Sequence, residues 1–436
     1  MEKSTATVSG TSRTASLAPY WGLAALLLLM TAVILPAIFW ATALTQQAGD
    51  MRDWHLPQVN IFVEHPFSFL SYQPDSATLP GHHIFLAWIG RLLGYRHIAP
   101  DNIPIRLVNA AFGYLAVIYA WRIFSRHCAG HSTPLIMAVP IAFSSYLLFA
   151  SIWINTDNGA FLFYEAVIDL ATNPGPLSLW ALPICAALVM WRQIYLPVTG
   201  LFGISWLLYD RKATSLYRPA LAVLIPCVIL GIYDLHWGGL TPPRFQHFNG
   251  QAQQPALPLS AFSVMAIILP FYWGYLGATV RSFLRSRPAV ALAIAAVVVL
   301  LWLLGPSDHN VAAGRWGGLV WSLTRLLPNI DDRSPLILVT ALVGALTLGA
   351  LIADSVRKPG PLLACIGFCL YLVGYCAQRE AFQRYIEVQI LFIYGFLSLG
   401  HQPPTAVMRY GPIVLGVAFA ALSLARAYGI LPRMFD

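Results

Sequence analysis

The residues best suited to chemistry in this sequence lie between positions 45 and 105. The stretch Asp50-Met-Arg-Asp53-Trp-His55-Leu-Pro-Gln58 places two carboxylates three residues apart, with an imidazole two residues after the second. On a helix, Asp50 and Asp53 share one face. A carboxylate there could act as a general base or help to bind a metal ion. The alternative is a solvated helix start, because acidic residues favour the first turn of a helix.

Later polar segments carry cationic and aromatic side chains. Arg192 and Gln193 end an apolar run, and a planar guanidinium suits a phosphate group. Aromatic rings beside polar groups suit carbohydrates, because rings stack on sugar C–H faces while polar groups bind hydroxyls. The other candidates for substrate binding are Gln58, Asp75, His247, His309, Arg315, Trp316, Arg379 and Arg384. Each could instead be an anchor at the membrane surface. For Glu387, inside an apolar run, we expect an ion pair with Arg384.

Several classes of site have no support in the sequence. The six cysteines lie mostly in apolar runs and are expected to be unpaired core residues. No spacing of Cys and His is typical of zinc, so no metal site is predicted. A P-loop and a dinucleotide-binding fingerprint are also lacking, which leaves nucleotide-driven pumping without support.

The composition requires these residues to be positioned by membrane helices. The chain has 436 residues, of which 58% are hydrophobic and only 10% are charged. A soluble protein carries roughly 25% charged residues. The mean hydropathy is +0.66. We therefore expect an all-α polytopic membrane protein, with a polar cytoplasmic tail over 1–19 and a single transmembrane domain over 20–436.

Hydropathy predicts about 13 membrane spans of the usual length. The first covers about 20–44, and the others cover about 107–124, 134–153, 159–171, 176–191, 194–209, 217–234, 259–279, 288–304, 335–353, 361–376, 386–400 and 411–428. The segment 45–105 forms a long first external loop, in which a helix over 79–95 lies at the membrane interface.

The basic residues fall into two groups that set the orientation. One group marks the predicted cytoplasmic connections: Arg122, Arg126, Arg211, Lys212, Arg218, Arg281, Arg285, Arg287, Arg357, Lys358 and Arg409. Such residues favour the cytoplasmic side and account for much of the net charge of +8, so no nucleic-acid partner is needed. The second group lies among acids, histidines and aromatics on the opposite side. The chemistry is therefore expected on the extracytoplasmic face.

The first loop resembles a known family. His55-Leu-Pro-Gln58 and Pro74-Asp75-Ser-Ala-Thr78-Leu79-Pro80-Gly81 resemble the opening of the dolichyl-phosphate-glucose-dependent α-1,2-glucosyltransferases. Weaker matches follow in the same order at Arg106-Leu-Val-Asn109, Arg192-Gln193, Gly238-Gly239, His247, Arg315 to Trp321 and Phe382-Gln-Arg384-Tyr385. The family's Asp-Glu pair aligns with Met51 and Arg52, which Asp50 and Asp53 flank.

The resemblance implies a GT-C-like bundle whose active site lies in the first external loop. It implies an inverting, metal-independent transfer of a sugar from a polyprenyl-phosphate donor to a glycan or lipid-linked acceptor, with no cofactor. Asp53 or Asp50 would be the base, and His55 and Asp75 would shape the acceptor site. Arg192, Arg315 and Arg384 would bind the donor phosphate. The shorter chain suggests a bacterial inner-membrane enzyme with a periplasmic site.

The alternative function is a transporter or a flippase of lipid-linked sugars. A transporter places its polar groups near the middle of the membrane. Here the polar groups concentrate in the external loops, which favours the enzyme.

Overall fold

The computed structural model describes residues 18–41, 45–72, 76–128, 132–173, 180–246 and 254–430. Within these ranges the chain is built from α-helices and contains no β-strand. Its only β-type pairing there consists of two isolated bridges, between Asn310 and Arg315 and between Ile330 and Arg333. The all-α prediction is therefore confirmed.

The described residues form twenty α-helices. In chain order they are α1 (Ala18–Trp40), α2 (Gln46–Asp50), α3 (Leu56–Glu64), α4 (Gly81–Leu92), α5 (Ile103–Arg126), α6 (Ser132–Phe143), α7 (Ser145–Ile152), α8 (Asp157–Thr172), α9 (Ala181–Trp191), α10 (Leu196–Thr199), α11 (Leu201–Tyr209), α12 (Tyr217–Trp237), α13 (Ala256–Ser286), α14 (Pro288–Leu304), α15 (Leu319–Thr324), α16 (Pro335–Ser355), α17 (Pro359–Tyr375), α18 (Glu387–Ser398), α19 (Ala406–Arg409) and α20 (Gly411–Ala427). A π-helix covers Met51–His55, and 3-10 turns cover Gln193–Tyr195, Ala213–Ser215, Pro243–Phe245 and Gln383–Tyr385.

Five of the described helices are long and apolar enough to cross a membrane: α1, α5, α12, α13 and α16. The pair α6 and α7 would make a sixth span, bent by 59°. The helices α9, α14, α17, α18 and α20 are apolar but shorter. A multispan membrane protein is thus confirmed, whereas the count of 13 is not. The predicted span over 194–209 is divided into a 3-10 turn, α10 and α11.

The spanning helices pack closely where small residues lie between them. Helices α13 and α16 make the most extensive contact in the described bundle. At Gly344 in α16, an added Cβ would lie 1.9 Å from the carbonyl oxygen of Phe262 in α13. Small residues allow this close approach of membrane helices. The two backbones therefore touch directly at this crossing.

Buried polar side chains connect the helices next to the first loop. Asn102 caps α5 by accepting a 3.1 Å hydrogen bond from the backbone N–H of Ile105. Arg106 donates to the carbonyl oxygens of Ile38 at 2.8 Å and Ile152 at 3.0 Å. Its guanidinium also lies 4.4 Å from the ring centroid of Trp153. Arg106 therefore joins α5 to α1 and α7.

The helix predicted over 79–95 is α4, which pairs with α3. All six cysteines are unpaired, as expected, although Cys227 is exposed rather than in the core.

Candidate active site

Two adjoining cavities lie where the first loop (residues 45–105) meets the ends of later helices. The first is lined by Ala77, Thr78, Arg192, Gln193, Ile194, Phe245, Gln378, Glu380 and Tyr385. The second is lined by Tyr146, Leu147, Asp157, Asn158, Phe161, Arg192, Tyr195, Arg384, Tyr385, Val388 and Gln389. They share Arg192 and Tyr385, and we refer to both together as the arginine cavity. A larger, shallower depression is lined by residues 67–72 and His236 but holds no arginine.

Two buried arginines lie against the same tyrosine ring. The guanidinium carbons of Arg192 and Arg384 are 4.3 and 4.8 Å from the ring centroid of Tyr385. Arg384 also donates a 2.8 Å hydrogen bond from Nη2 to the Tyr385 hydroxyl. Cation–π contacts of this kind hold guanidinium groups in a defined orientation. The site therefore has two fixed cations whose positions depend on one aromatic ring.

Each arginine is paired with a carboxylate from another element. Arg192 pairs with Asp157, and Arg384 pairs with Asp50. In both pairs the side chains are largely buried, with at most 17% of the carboxylate side chain exposed. Each guanidinium carries five N–H donors, so one carboxylate leaves donors free for a further anion. Nε of Arg384 is buried without a hydrogen-bond partner among the described residues.

Helix ends place these groups. Arg192 follows the last residue of α9 in an extended conformation, with φ of −154°. Asp157 is the first residue of α8, where the helix dipole favours a negative charge. Tyr385 ends the 3-10 turn that precedes α18. The ends of three helices thus converge on the arginine cavity, which hydropathy alone does not reveal.

The two aspartates predicted as the base lie in different environments. Asp50 ends α2 and is buried against Arg384. Asp53 lies in the π-helix, and 48% of its side chain is exposed. It accepts a 2.7 Å hydrogen bond from Nε of Arg52, which lowers the pKa of Asp53. The two carboxylates therefore have different partners, although they are only three residues apart.

His55 belongs to a buried cluster of imidazoles within the first loop. Its Nδ1 lies 3.0 Å from Nε2 of His83, and the two rings are stacked. The neighbouring His82 places Nε2 3.0 Å from Oδ1 of Asn109. Burial lowers the pKa of His55 and His83 well below 6.5, and it lowers the pKa of His82 to about 4. The cluster is therefore neutral at physiological pH and connects the π-helix to α4 and α5.

Gln193 joins two loops at the edge of the arginine cavity. Its Nε2 donates to the carbonyl oxygen of Ala77 at 2.8 Å and to that of Leu240 at 3.4 Å. Its Oε1 accepts from the backbone N–H of Leu79 at 3.3 Å. The part of the family-like motif around Thr78 is thereby fixed beside Arg192.

The loop over 308–318 packs against the connection that carries Arg384. Arg315 is buried and donates to Asp308 at 2.6 Å, so its guanidinium braces this loop and does not line the arginine cavity. Trp316 packs edge-on against Phe382 with ring centroids 4.8 Å apart. His309 is half-buried beside Asp308 and also lies outside the cavity lining. None of the three lines the cavity, and Trp316 contacts the connection that carries Arg384.

Four predicted residues remain, and none of them is seen in the lining of the arginine cavity. Asp75 and His247 fall outside the described residues. Gln58 is buried and donates to the carbonyl oxygen of Ser71 at 3.2 Å. Arg379 donates to the carbonyl oxygen of Ala312. Neither Gln58 nor Arg379 lines the arginine cavity.

One predicted pairing is wrong, and three residues of the site were not predicted. Glu387 accepts hydrogen bonds of 2.7 Å from Ser144 and Gln383, because Arg384 faces the first loop and pairs with Asp50. The residues not predicted are Asp157, Glu380 and Tyr385. Glu380 could have been recognised as an acidic residue five positions after the end of α17 and close to Arg379 and Arg384.

A metal is not suggested by this geometry. Across the described ranges, no group of three or more His, Cys, Asp or Glu side chains is arranged to hold a metal ion. Two acidic groups of the site, Asp157 and Asp50, pair with arginines instead. The arrangement suits binding of an anion and transfer of a proton.

Comparison with known proteins gives little further information. No family model and no curated protein matches the chain. One solved structure that is similar in outline is ArnT from Cupriavidus metallidurans in the apo state, with 15% sequence identity and a TM-score of 0.36. The match covers 88% of this chain and 77% of ArnT. At this TM-score we draw no argument from the match.

Proposed function

We propose that this protein is a membrane glycosyltransferase with a GT-C-like fold that moves a sugar from a polyprenyl-phosphate donor to an acceptor hydroxyl. The observation that carries this proposal is the arginine cavity, where two buried guanidiniums and nearby carboxylates meet beside the first loop. A donor of this type leaves a lipid phosphate when its sugar is displaced. Fixed cations stabilise the charge that develops on that phosphate in the transition state.

The proposed reaction is a single displacement with inversion. The acceptor oxygen attacks the sugar's anomeric carbon, the bond from that carbon to the phosphate oxygen breaks, and a carboxylate takes the acceptor's proton. Of the two aspartates that the resemblance implies, we place Asp50 in the site, because it is buried at Arg384. We place Asp53 outside it, because its exposed carboxylate pairs with Arg52.

The resemblance of the first loop also guides the choice of substrates. Polyprenyl-phosphate glucose is the donor to test first, with lipid-linked glycans as acceptors. We place the protein in a bacterial inner membrane with its site facing the periplasm, as the distribution of arginines and lysines favours. No metal or cofactor is proposed, so transfer should persist in EDTA.

The experiment uses purified protein in nanodiscs, radiolabelled polyprenyl-phosphate sugars and a panel of acceptors. We expect a labelled product with wild type, and at least a hundredfold slower transfer with Arg192→Ala or Arg384→Ala. Arg325→Ala removes an exposed arginine and is the control that should keep wild-type activity. Movement of the labelled lipid across liposomes without any product would support a flippase instead.

A further inference from the structure

Glu380 is a carboxylate of the arginine cavity to which the proposed function has not given a role. It lies in the connection between α17 and α18 and lines the cavity together with Arg192, Gln193 and Tyr385. It lies four residues before Arg384, which pairs with Asp50. Any role for it in transfer rests on the proposed function.

Glu380 differs from Asp157 and Asp50 because its carboxylate has no hydrogen bond or ion pair with any residue that the structure describes. Asp157 and Asp50 each pair with an arginine of the cavity. Among the described residues, no ion pair or hydrogen bond involves the Glu380 carboxylate. A carboxylate bound to a guanidinium is a weak base, because protonation has to break that ion pair. A carboxylate without such a partner keeps its oxygens available for a hydroxyl proton.

The surroundings of Glu380 also favour proton transfer near neutral pH. The pKa of Glu380 is raised to about 6, chiefly by burial. Arg384 acts against this rise, Asp50 adds to it, and Arg379 and Arg192 lower the pKa by smaller amounts. A general base is most effective when its pKa lies near the working pH. Glu380 is thus ionised at pH 7 and still basic enough to accept a proton.

The backbone around Glu380 is held by the loop over 308–318. The N–H of Ala381 donates to the carbonyl oxygen of Gly314 at 2.9 Å. The indole N–H of Trp321 donates to the carbonyl oxygen of Ala381 at 2.6 Å. A Cβ added at Gly314 would lie 3.2 Å from Cα of Glu380. The backbone that carries Glu380 is therefore held in place by protein contacts alone, as the support of a catalytic base requires.

We infer that Glu380 is the general base of the reaction and that Asp50 serves to hold Arg384 in place. The proton of the acceptor hydroxyl passes to a Glu380 carboxylate oxygen while the acceptor oxygen bonds to the anomeric carbon. The electron pair of the breaking bond leaves with the lipid phosphate, whose charge Arg192 and Arg384 neutralise. The two arginines thus act on the leaving phosphate, whereas the base acts on the attacking acceptor.

The test compares Glu380→Ala with Asp50→Ala in the nanodisc transfer assay, with and without added formate. A small carboxylate can replace a missing base, but it cannot restore the position of an arginine. We expect Glu380→Ala to lower kcat by 100-fold to 10,000-fold, the usual contribution of a general base, and formate to restore at least tenfold. Asp50→Ala should lose activity without rescue.

Two further measurements address a folding defect and the pH dependence. Glu380→Gln conserves shape and should match wild type in Tm while losing kcat. For wild type, kcat/KM should rise tenfold per pH unit up to about pH 6 and then level, and Glu380→Asp should keep a rising limb. Glu380→Gln with more than half of the wild-type kcat would overturn the inference, as would rescue of Asp50→Ala alone. Failure of the proposed function is distinct, because wild type itself would then give no product.

Discussion

At the scale of single residues, the site is defined by which carboxylate contacts which cation. Asp50 and Asp53 have the same chemistry and lie three residues apart, yet one is buried at Arg384 and the other is exposed beside Arg52. A buried pair that loses one member leaves an uncompensated charge, whereas an exposed pair contributes little. The two positions should therefore respond differently to the same substitution.

The substitution Asp50→Asn should cost roughly 3–5 kcal/mol of stability and at least a hundredfold in transfer, because it leaves the buried Arg384 unpaired. Asp53→Asn is the matched control and should stay within about twofold of wild type, since an exposed ion pair contributes little to stability. Thermal unfolding and initial rates in nanodiscs measure both effects. Equal losses in the two variants would contradict this assignment.

The imidazole cluster gives a second prediction at this scale. Because burial lowers the pKa values of His55, His82 and His83, the unfolded chain binds more protons than the folded one below pH 6.5. The contribution of the neutral histidines to the free energy of unfolding should therefore be fully present above pH 6.5 and should fall as the pH drops from 6.5 toward 4. The measurement is Tm against pH for wild type and for His83→Gln, which should show a shallower fall. The exposed His97→Gln should follow wild type.

At the scale of elements, the site depends on loops that hold one another. The connection carrying Glu380, Arg384 and Tyr385 packs against the loop over 308–318 through Gly314 and Trp321. Gly314 has a φ of +73°, and an added Cβ would also lie 3.0 Å from the carbonyl oxygen of Arg379. This glycine is therefore required both for its backbone conformation and for the close approach.

Gly314→Ala should lower kcat at least tenfold with little change in KM for the donor, because it displaces Glu380 without removing an arginine. Gly94→Ala is the matched control. Gly94 has a similar φ of +84° but nothing within 4 Å of an added Cβ. Both variants bear the same backbone strain, about 1–2 kcal/mol, so only the contact differs. A kcat loss of the same size in Gly94→Ala would assign the effect to strain.

The sequence predicted the helices and loops around the site, but it did not predict which side chains pair with one another. Apolar runs and a polar first loop identified the helices. Of the site residues predicted from the sequence, Arg192 and Arg384 line the arginine cavity, and Asp50 pairs with Arg384. The pairing of Asp50 with Arg384 was not predictable, because hydropathy reads neighbours along the chain and these residues are 334 positions apart. Glu387 was paired with Arg384 by proximity in sequence, although the helix start directs it toward Ser144.

At the scale of the whole molecule, charged groups occupy both ends of the bundle. Helix α8 begins with Asp157 at the arginine cavity, and near its other end Asp169 pairs with Arg126 at 2.6 Å. Twelve residues of helix separate the two acids, a rise of about 18 Å. The ends of α8 therefore lie at different depths of the bundle, with Arg126 at one end and Arg192 at the other.

The proposed orientation can be measured by labelling. In a variant with all six cysteines replaced, Ser68→Cys in the first loop should react with a membrane-impermeant maleimide in intact spheroplasts. Lys212→Cys should react only after permeabilisation. Both positions are exposed, so access to the reagent depends on the side of the membrane. The reverse pattern would place the first loop in the cytoplasm and contradict the positive-inside assignment.

The separation of Asp50 and Arg384 also bears on how the protein is made. A ribosome adds about 5–20 residues per second, so about 17–67 s pass between synthesis of Asp50 and synthesis of its partner 334 positions later. Arg192 and Asp157 are only 35 positions apart and can meet much earlier. The first half of the site can therefore form while the chain is still being inserted, and the second half has to wait. A nascent chain halted before residue 384 should hold its early helices but carry an unneutralised Asp50.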